Sequence, residues 1–172
     1  MSHVRVLLAA CECQKGDLVG NLSSHLRVVN DAEAAGCDLV LFPEMSLTGS
    51  VDPARHPERL VSLDHQAVLE LARTSGEKGM GICFGVAELS SDSRAHITQV
   101  FAADGHIVGV QRKRHLGEGE QSFTPVSIST PIDFAGITFG IAICAESGFD
   151  PPFDSAASAG AQLVLFPAAA GL

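Results

Sequence analysis

Apolar and polar positions along this chain switch repeatedly between two periods. Residues 4–10 (VRVLLAA) form a short, nearly continuous apolar run, the pattern of a buried strand. Asn21 then stands where a helix cap is needed, ahead of Leu22, Leu26 and Val29 on one face of a helix reaching Ala35, which Gly36 stops. Residues 39–42 are a second strand and residues 51–57 a loop. Residues 65–75 place Val68, Leu71 and Ala72 on one helical face. Residues 82–89 return to strand and 90–94 to an exposed turn. Residues 95–102 and 106–111 pair as a hairpin about Asp104-Gly105, and 112–125 form a polar, glycine-containing loop. Two more strands, 127–134 and 137–143, join at Ala135-Gly136; a short helix at 152–159 precedes a last strand at 163–166.

Helices between the early strands imply parallel pairing and a covered sheet, and adjacent strands in the middle make it mixed: an α/β chain. One sequence echo stands out. AAGCDLVLFPE (residues 34–44) returns as SAGAQLVLFPA (158–168), so a helix end, glycine, strand and proline recur, and only the first copy ends in a carboxylate. The glutamate is an addition that the strand itself does not need.

With 172 residues, 46% of them apolar, the chain fits one domain over 1–172 with a sizeable core. A formal net charge of −9 argues against nucleic-acid binding and against docking on an anionic membrane. No apolar run approaches the about 20 residues of a membrane span. The odd count of five cysteines and the absence of a signal-peptide pattern predict free thiols in the cytoplasm. Cys11 and Cys13 form a C-x-C pair without a second pair at zinc-like spacing, so no metal site is expected; Cys37 and Cys83 read as small core residues.

Three residues carry the candidate chemistry, each just past a strand. Cys144 ends the run ITFGIAI, Glu44 ends LVLFPE, and Lys113 follows IVGVQR. Open α/β sheets keep their ligands at such strand ends. An ordinary thiol is mostly protonated at neutral pH and needs a base or a cation to attack an acyl carbon. A desolvated Glu44 supplies the base, and Lys113 is expected to favour the thiolate, making Cys144 the most reactive of the thiols, and to hold an oxyanion. The backbone N–H of Ala145 is the expected second oxyanion donor. Taken singly, each residue has a structural explanation: packing for Cys144, a turn cap for Glu44, a solvated basic cluster for Lys113. Their combination is what points to acyl transfer.

The blocks LVLFPEMSLTG, RKRHLGEGEQSFTP and GIAICAES, in this order, resemble the three signature blocks of the nitrilase-like carbon–nitrogen hydrolase superfamily. The resemblance runs from Val4 to the chain end. It implies a mixed-sheet αββα sandwich and a Glu–Lys–Cys triad at Glu44, Lys113 and Cys144. A second glutamate in the middle block falls on Glu120, with Glu118 as the rival, and Glu146 takes a structural position. Where the family commonly carries aromatics, this chain has Ser50 and Ala145, and Phe123-Thr124-Pro125 is followed by Val126 where the family places glycine. Family members are longer, so the resemblance implies a C-terminally incomplete sandwich, and the later strands are expected to lack a covering layer, favouring self-association and loss of activity of this chain alone.

The resemblance thus implies hydrolysis of a non-peptide C–N bond in a small amide or carbamoyl compound through a thioester, without a cofactor, by a homo-oligomer. Alternatives are nitrile hydrolysis, a Cys144–His115 hydrolase, a catalytically silent subunit, and a redox protein built on Cys11 and Cys13.

Overall fold

The computed structural model describes residues 3–128 and 130–169. Eight strands and three α-helices follow in the order β1 (Val6–Leu8), α1 (Leu18–Ala34), β2 (Leu39–Leu41), α2 (Gln66–Lys78), β3 (Gly81–Leu89), β4 (Ala95–Ala103), β5 (His106–Arg112), β6 (Ile132–Phe134), β7 (Ile137–Ile141), α3 (Asp150–Ser158) and β8 (Leu163–Leu165). The expected strand 127–134 survives as β6; Ser129 within it, and residues 170–172 at the chain end, lie outside the described residues.

The strands form two sheets. In the first, ordered β1-β2-β3-β4-β5, β1, β2 and β3 run parallel and β3, β4 and β5 antiparallel. The second, β6-β7-β8, has one antiparallel and one parallel pair. Alternation along the strands builds two cores. Val40, Ile82, Phe84 and Val100 face α1 and α2, packing with Val29, Val68 and Leu71. Their neighbours Leu39, Leu41, Cys83 and Phe101 face the other way and meet Phe139, Ile141 and Ile143 of the second sheet. On the far side of that sheet α3 lies against β7, so close that a Cβ on Gly140 would stand 2.6 Å from the Cβ of Ala156. The layers are therefore αββα.

Two helix boundaries differ from expectation. Asp17, not Asn21, caps α1, accepting from Gly20 N at 3.0 Å; Leu18 extends the apolar stripe one turn upstream. Asn21 is instead a buried bracket, bonded to Gln14 N, Gln14 O and Leu47 O. Helix α2 continues through Gly76 to a left-handed Gly79. Gly76 is there for close approach, since a Cβ would stand 2.7 Å from Gly105 N in the β4–β5 turn.

The echoed segment is one structural unit used twice. Gly36 and Gly160 both take left-handed φ, and the residue after each donates back to the helix, Cys37 N to Ala32 O and Ala161 N to Ala156 O, both 2.9 Å. Each unit then enters a strand paired in parallel, β2 in the first sheet and β8 in the second.

Buried His25 on α1 ties the first unit to the helix layer. Its Nδ1 lies 2.7 Å from Asn21 O, its Nε2 lies 2.9 Å from Ser46 Oγ, and the ring stacks on Phe42 with centroids 4.1 Å apart. Burial pushes its pKa down to about 4 from 6.5. The folded chain thus holds His25 neutral, while the unfolded chain protonates it below about pH 6.5. Its contribution is fully present above that pH and is lost as pH falls toward 4, by a few kcal/mol at most, because a proton bound only by the unfolded chain costs roughly 1.4 kcal/mol per pH step. Urea midpoints compared at pH 7 and pH 4.5 should fall more steeply for the parent chain than for His25→Gln.

Candidate active site

Glu44 is presented by a turn that three elements clamp. Beyond β2, Phe42 N donates to Cys83 O (2.8 Å) and Phe42 O accepts from Gln99 Nε2 (3.1 Å). Met45 follows with φ 48°, a left-handed conformation costly for a non-glycine residue. Ser46 Oγ accepts from Gly85 N (3.1 Å), Leu47 N donates to Gly85 O (2.9 Å), and Thr48 Oγ1 accepts from Ala87 N (2.9 Å). Gly85 must be glycine for this to fit: a Cβ there would stand 2.8 Å from Pro43 O and closer still to Met45 N. Gly85→Ala should therefore push the Glu44 turn off β3 and cost about 1–3 kcal/mol, the scale of overpacking a tight core. A urea melt of the variant checks this.

Lys113 comes one residue after β5, anchored by Lys113 N to Ile97 O (2.8 Å) and Val126 N to Lys113 O (3.1 Å). Its ammonium is fully buried and donates to Glu44 Oε1 at 2.6 Å and to Glu120 Oε1 at 2.7 Å. The second oxygen of Glu120 accepts from Gly117 N at 2.5 Å. Of the two middle-block glutamates, Glu120 makes this contact and Glu118 is exposed. The neighbouring basic residues are paired as well: Arg112 forks onto buried Glu88 (2.6 and 2.8 Å), and Arg114 reaches Glu146 at 2.9 Å. The solvated basic cluster does not exist in the fold.

Cys144 sits at the far end of the segment continuing β7, where the chain breaks into a 3₁₀ turn over Cys144–Gly148. Its φ of 47° is left-handed, another strained position at the point of interest. Cys144 N donates to Pro167 O (2.9 Å), so the second copy of the echoed unit fixes the Cys144 turn as the first copy presents Glu44. The structural role expected of Glu146 has a geometric basis. Fully buried, it accepts from Ile143 N, Arg114 N, His115 N and the Arg114 guanidinium, pinning the Cys144 turn to the Lys113 strap. Burial opposes its charge, yet these donors outweigh burial and hold its pKa below the ordinary carboxylate value.

A cavity of about 460 Å³ opens over these groups, bordered by Glu44, Glu120, Cys144, Ala145, Ser50 and Phe123. Burial pushes the Glu44 carboxyl above its ordinary pKa, more than the Lys113 ammonium pulls it down. Burial also opposes the Lys113 charge, but the two carboxylates win and hold the ammonium above its ordinary range. Burial and then the Glu44 charge raise the Cys144 thiol. The expectation that Lys113 favours the Cys144 thiolate is thereby corrected: its attraction is the weaker effect, and burial and Glu44 favour the thiol. His115 does not join them; its ring stacks on Phe149 with centroids 4.4 Å apart. Sequence reasoning missed the brackets His25, Gln99 and Gly85, because nothing local marks a residue whose role is set by contacts across the sheet.

The family profile described as "Carbon-nitrogen hydrolase" matches residues 7–171. The chain belongs to this family. Among curated relatives, the carbon-nitrogen hydrolase chain is 28% identical over 151 residues to a glutamine-dependent NAD(+) synthetase of Thermotoga maritima, covering 85% of itself and 26% of that protein. It is 27% identical over 164 residues to an (R)-stereoselective amidase of a Pseudomonas species, covering 94% of itself and 59% of the amidase. The chain thus spans between a quarter and three-fifths of the length of these relatives. Among solved structures, a mutant of the amidase from Nesterenkonia sp. AN1, carrying the acetamide moiety of fluoroacetamide on its active-site cysteine, superposes with a TM-score of 0.86 at 23% identity, covering 97% of this chain and 65% of that one. That likeness establishes the nitrilase-type fold. Among the described residues no helix is long and apolar enough to cross a membrane.

Proposed function

We propose that this chain is one domain of a hydrolase that cleaves a non-peptide C–N bond in a small amide or carbamoyl compound through a thioester on Cys144. The observation that carries the reading is that Glu44 and Glu120, both bonded to buried Lys113, border the same cavity as Cys144. As the sulfur bonds to the carbonyl carbon, the thiol proton passes to Glu44. The developing oxyanion takes hydrogen bonds from Lys113 and from Ala145 N–H. Lys113 has three donors, two of them engaged by Glu44 and Glu120, which leaves one for the substrate. Cys144 N is already committed to Pro167 O, so Ala145 supplies the backbone donor. Glu44 returns the proton to the leaving nitrogen, the C–N bond breaks, and ammonia or an amine departs. Water then gives a proton to Glu44 and its oxygen attacks the thioester; the acid leaves and Cys144 regains its proton. Glu120 positions Lys113.

The relatives favour amides over nitriles as substrates, because one is named an amidase and the other is named glutamine-dependent. A cytoplasmic setting fits the free cysteines. Self-association is favoured by the exposed apolar side chains of edge strand β8, Leu163 (44% exposed) and Val164 (36%). Sedimentation velocity should show a dimer or larger species; a strict monomer at micromolar concentration removes that part of the proposal.

The activity is tested by ammonia release from short aliphatic amides and carbamoyl compounds, with the matching nitriles in parallel. Amide turnover is expected of a form in which the later strands are covered, and loss of activity of this chain alone. Turnover of nitriles alone overturns the substrate class, and a covered, folded form that turns over neither is the silent subunit.

A further inference from the structure

Cys11 and Cys13 belong to the segment that joins β1 to α1, beside the end of β2 where the Glu44 turn begins. Both are half-buried, and their Sγ atoms lie 3.6 Å apart. They border a cavity of about 610 Å³ that shares Glu44, Met45 and Ser50 with the cleft over Cys144. The proposed hydrolysis uses neither thiol. Among the described residues no group of three or more His, Cys, Asp and Glu side chains stands together as metal ligands, so the pair offers two sulfurs and no metal cage.

The geometry points to Cys11 and Cys13 as a dithiol modification site, closed to a disulfide by a peroxide and able to chelate a trivalent arsenical. A disulfide needs its sulfurs about 2.05 Å apart, so the pair must close by roughly 1.5 Å, within reach of side-chain rotation and a small shift of this loop. The two sulfurs share a contact in which either thiol can donate, and the Cys13 thiol also reaches Cys11 O at 3.6 Å, so the pair is held together in the folded loop.

The chemistry balances without a metal. One sulfur of the pair attacks one peroxide oxygen; the S–O bond forms, the O–O bond breaks, and the leaving hydroxide takes a proton to become water. That cysteine is then a sulfenic acid. The other sulfur attacks the oxidised sulfur, the S–S bond forms, the S–O bond breaks, and a second water leaves with the second thiol's proton. Two thiols lose two hydrogens, and the peroxide is reduced to two waters.

The loop is wired to the Glu44 turn. Gln14, one residue on, brackets Asn21 through two hydrogen bonds, and Gly16 N donates to Thr48 O at 2.8 Å. Thr48 itself belongs to the clamp on β3. A change of state at the pair therefore falls on a segment directly bonded to the turn that carries Glu44.

The test treats the full chain with one equivalent of hydrogen peroxide, blocks the remaining thiols with iodoacetamide and maps the peptides. The expected result is a peptide spanning Cys11 and Cys13 that is lighter by two hydrogens and unalkylated until a thiol reductant is added. Cys13→Ser and Cys11→Ser should each stop at a dimedone-reactive sulfenic acid on the cysteine that remains. Phenylarsine oxide, which needs two neighbouring thiols, should bind the untreated chain at one equivalent and bind neither Cys11→Ser nor Cys13→Ser. Oxidation of Cys144 with both residues still alkylated overturns the proposal. So does a disulfide from either residue to Cys144, or an untreated chain that binds no arsenical.

Discussion

In a form whose later strands are covered, Cys144→Ala is expected to abolish amide turnover, by about 10⁶-fold, the scale on which removing a hydrolase nucleophile falls. The substitution deletes the only atom proposed to bond the substrate. It brings no new backbone strain, since Cys144 already sits at φ 47° and alanine pays the same cost there. The turn is held by Cys144 N to Pro167 O and by Glu146, neither of which involves the thiol. The variant should therefore match the parent in thermal unfolding, which separates lost chemistry from lost fold. Ammonia release and a melting curve on the same preparation check both halves.

Glu44→Gln should lower kcat by about 10²–10⁴-fold, the contribution of a positioned general base. Shape and most packing survive, but the amide cannot accept the thiol proton. Burial raises the Glu44 pKa above the ordinary carboxylate value, with Lys113 pulling the other way. Below that raised pKa Glu44 is protonated and cannot act as base, so parent activity should fall as pH drops through a limb lying above the ordinary carboxylate range. The limb should vanish in Glu44→Gln. Because the Cys144 thiol is raised and not lowered, its own ionisation supplies no thiolate at neutral pH to bypass Glu44. A variant with full activity and an unchanged pH profile would remove Glu44 from the mechanism.

The strands were legible because their residues obey simple periods. Leu39, Val40 and Leu41 are apolar in a row, and the fold buries them on both faces. The turn at Asp104-Gly105 was legible for the same kind of reason, since both residues take left-handed φ there. The second helix, expected over residues 65–75, runs on through Gly76 to Lys78, and only the approach of the β4–β5 turn shows why a glycine is needed there. The start of α1 was missed because Asn21 is as good a cap residue as Asp17, and its real partners, Gln14 and Leu47, belong to other segments.

The candidate site was legible for the same reason as the strands: each residue follows an apolar run at whose end the chain must turn. Placing Lys113 between Glu44 and Glu120 needed the fold, because Glu44 comes from the turn after β2, 69 residues earlier, and Glu120, seven residues later, folds back from the following loop. The resting state of Cys144 was not legible at all. A neighbouring lysine reads as an activator in sequence, whereas burial and the carboxylate outweigh it in space.

The measurement closest to the central claim is a rapid-quench mixing of the full chain with a short aliphatic amide, followed by acid denaturation and peptide mass mapping. The account predicts an acyl group on Cys144 within the first turnover, carried as an alkali-labile thioester and absent from Cys144→Ala. Ammonia release with no acyl group on Cys144, or an acyl group on Cys11 or Cys13 instead, would contradict it.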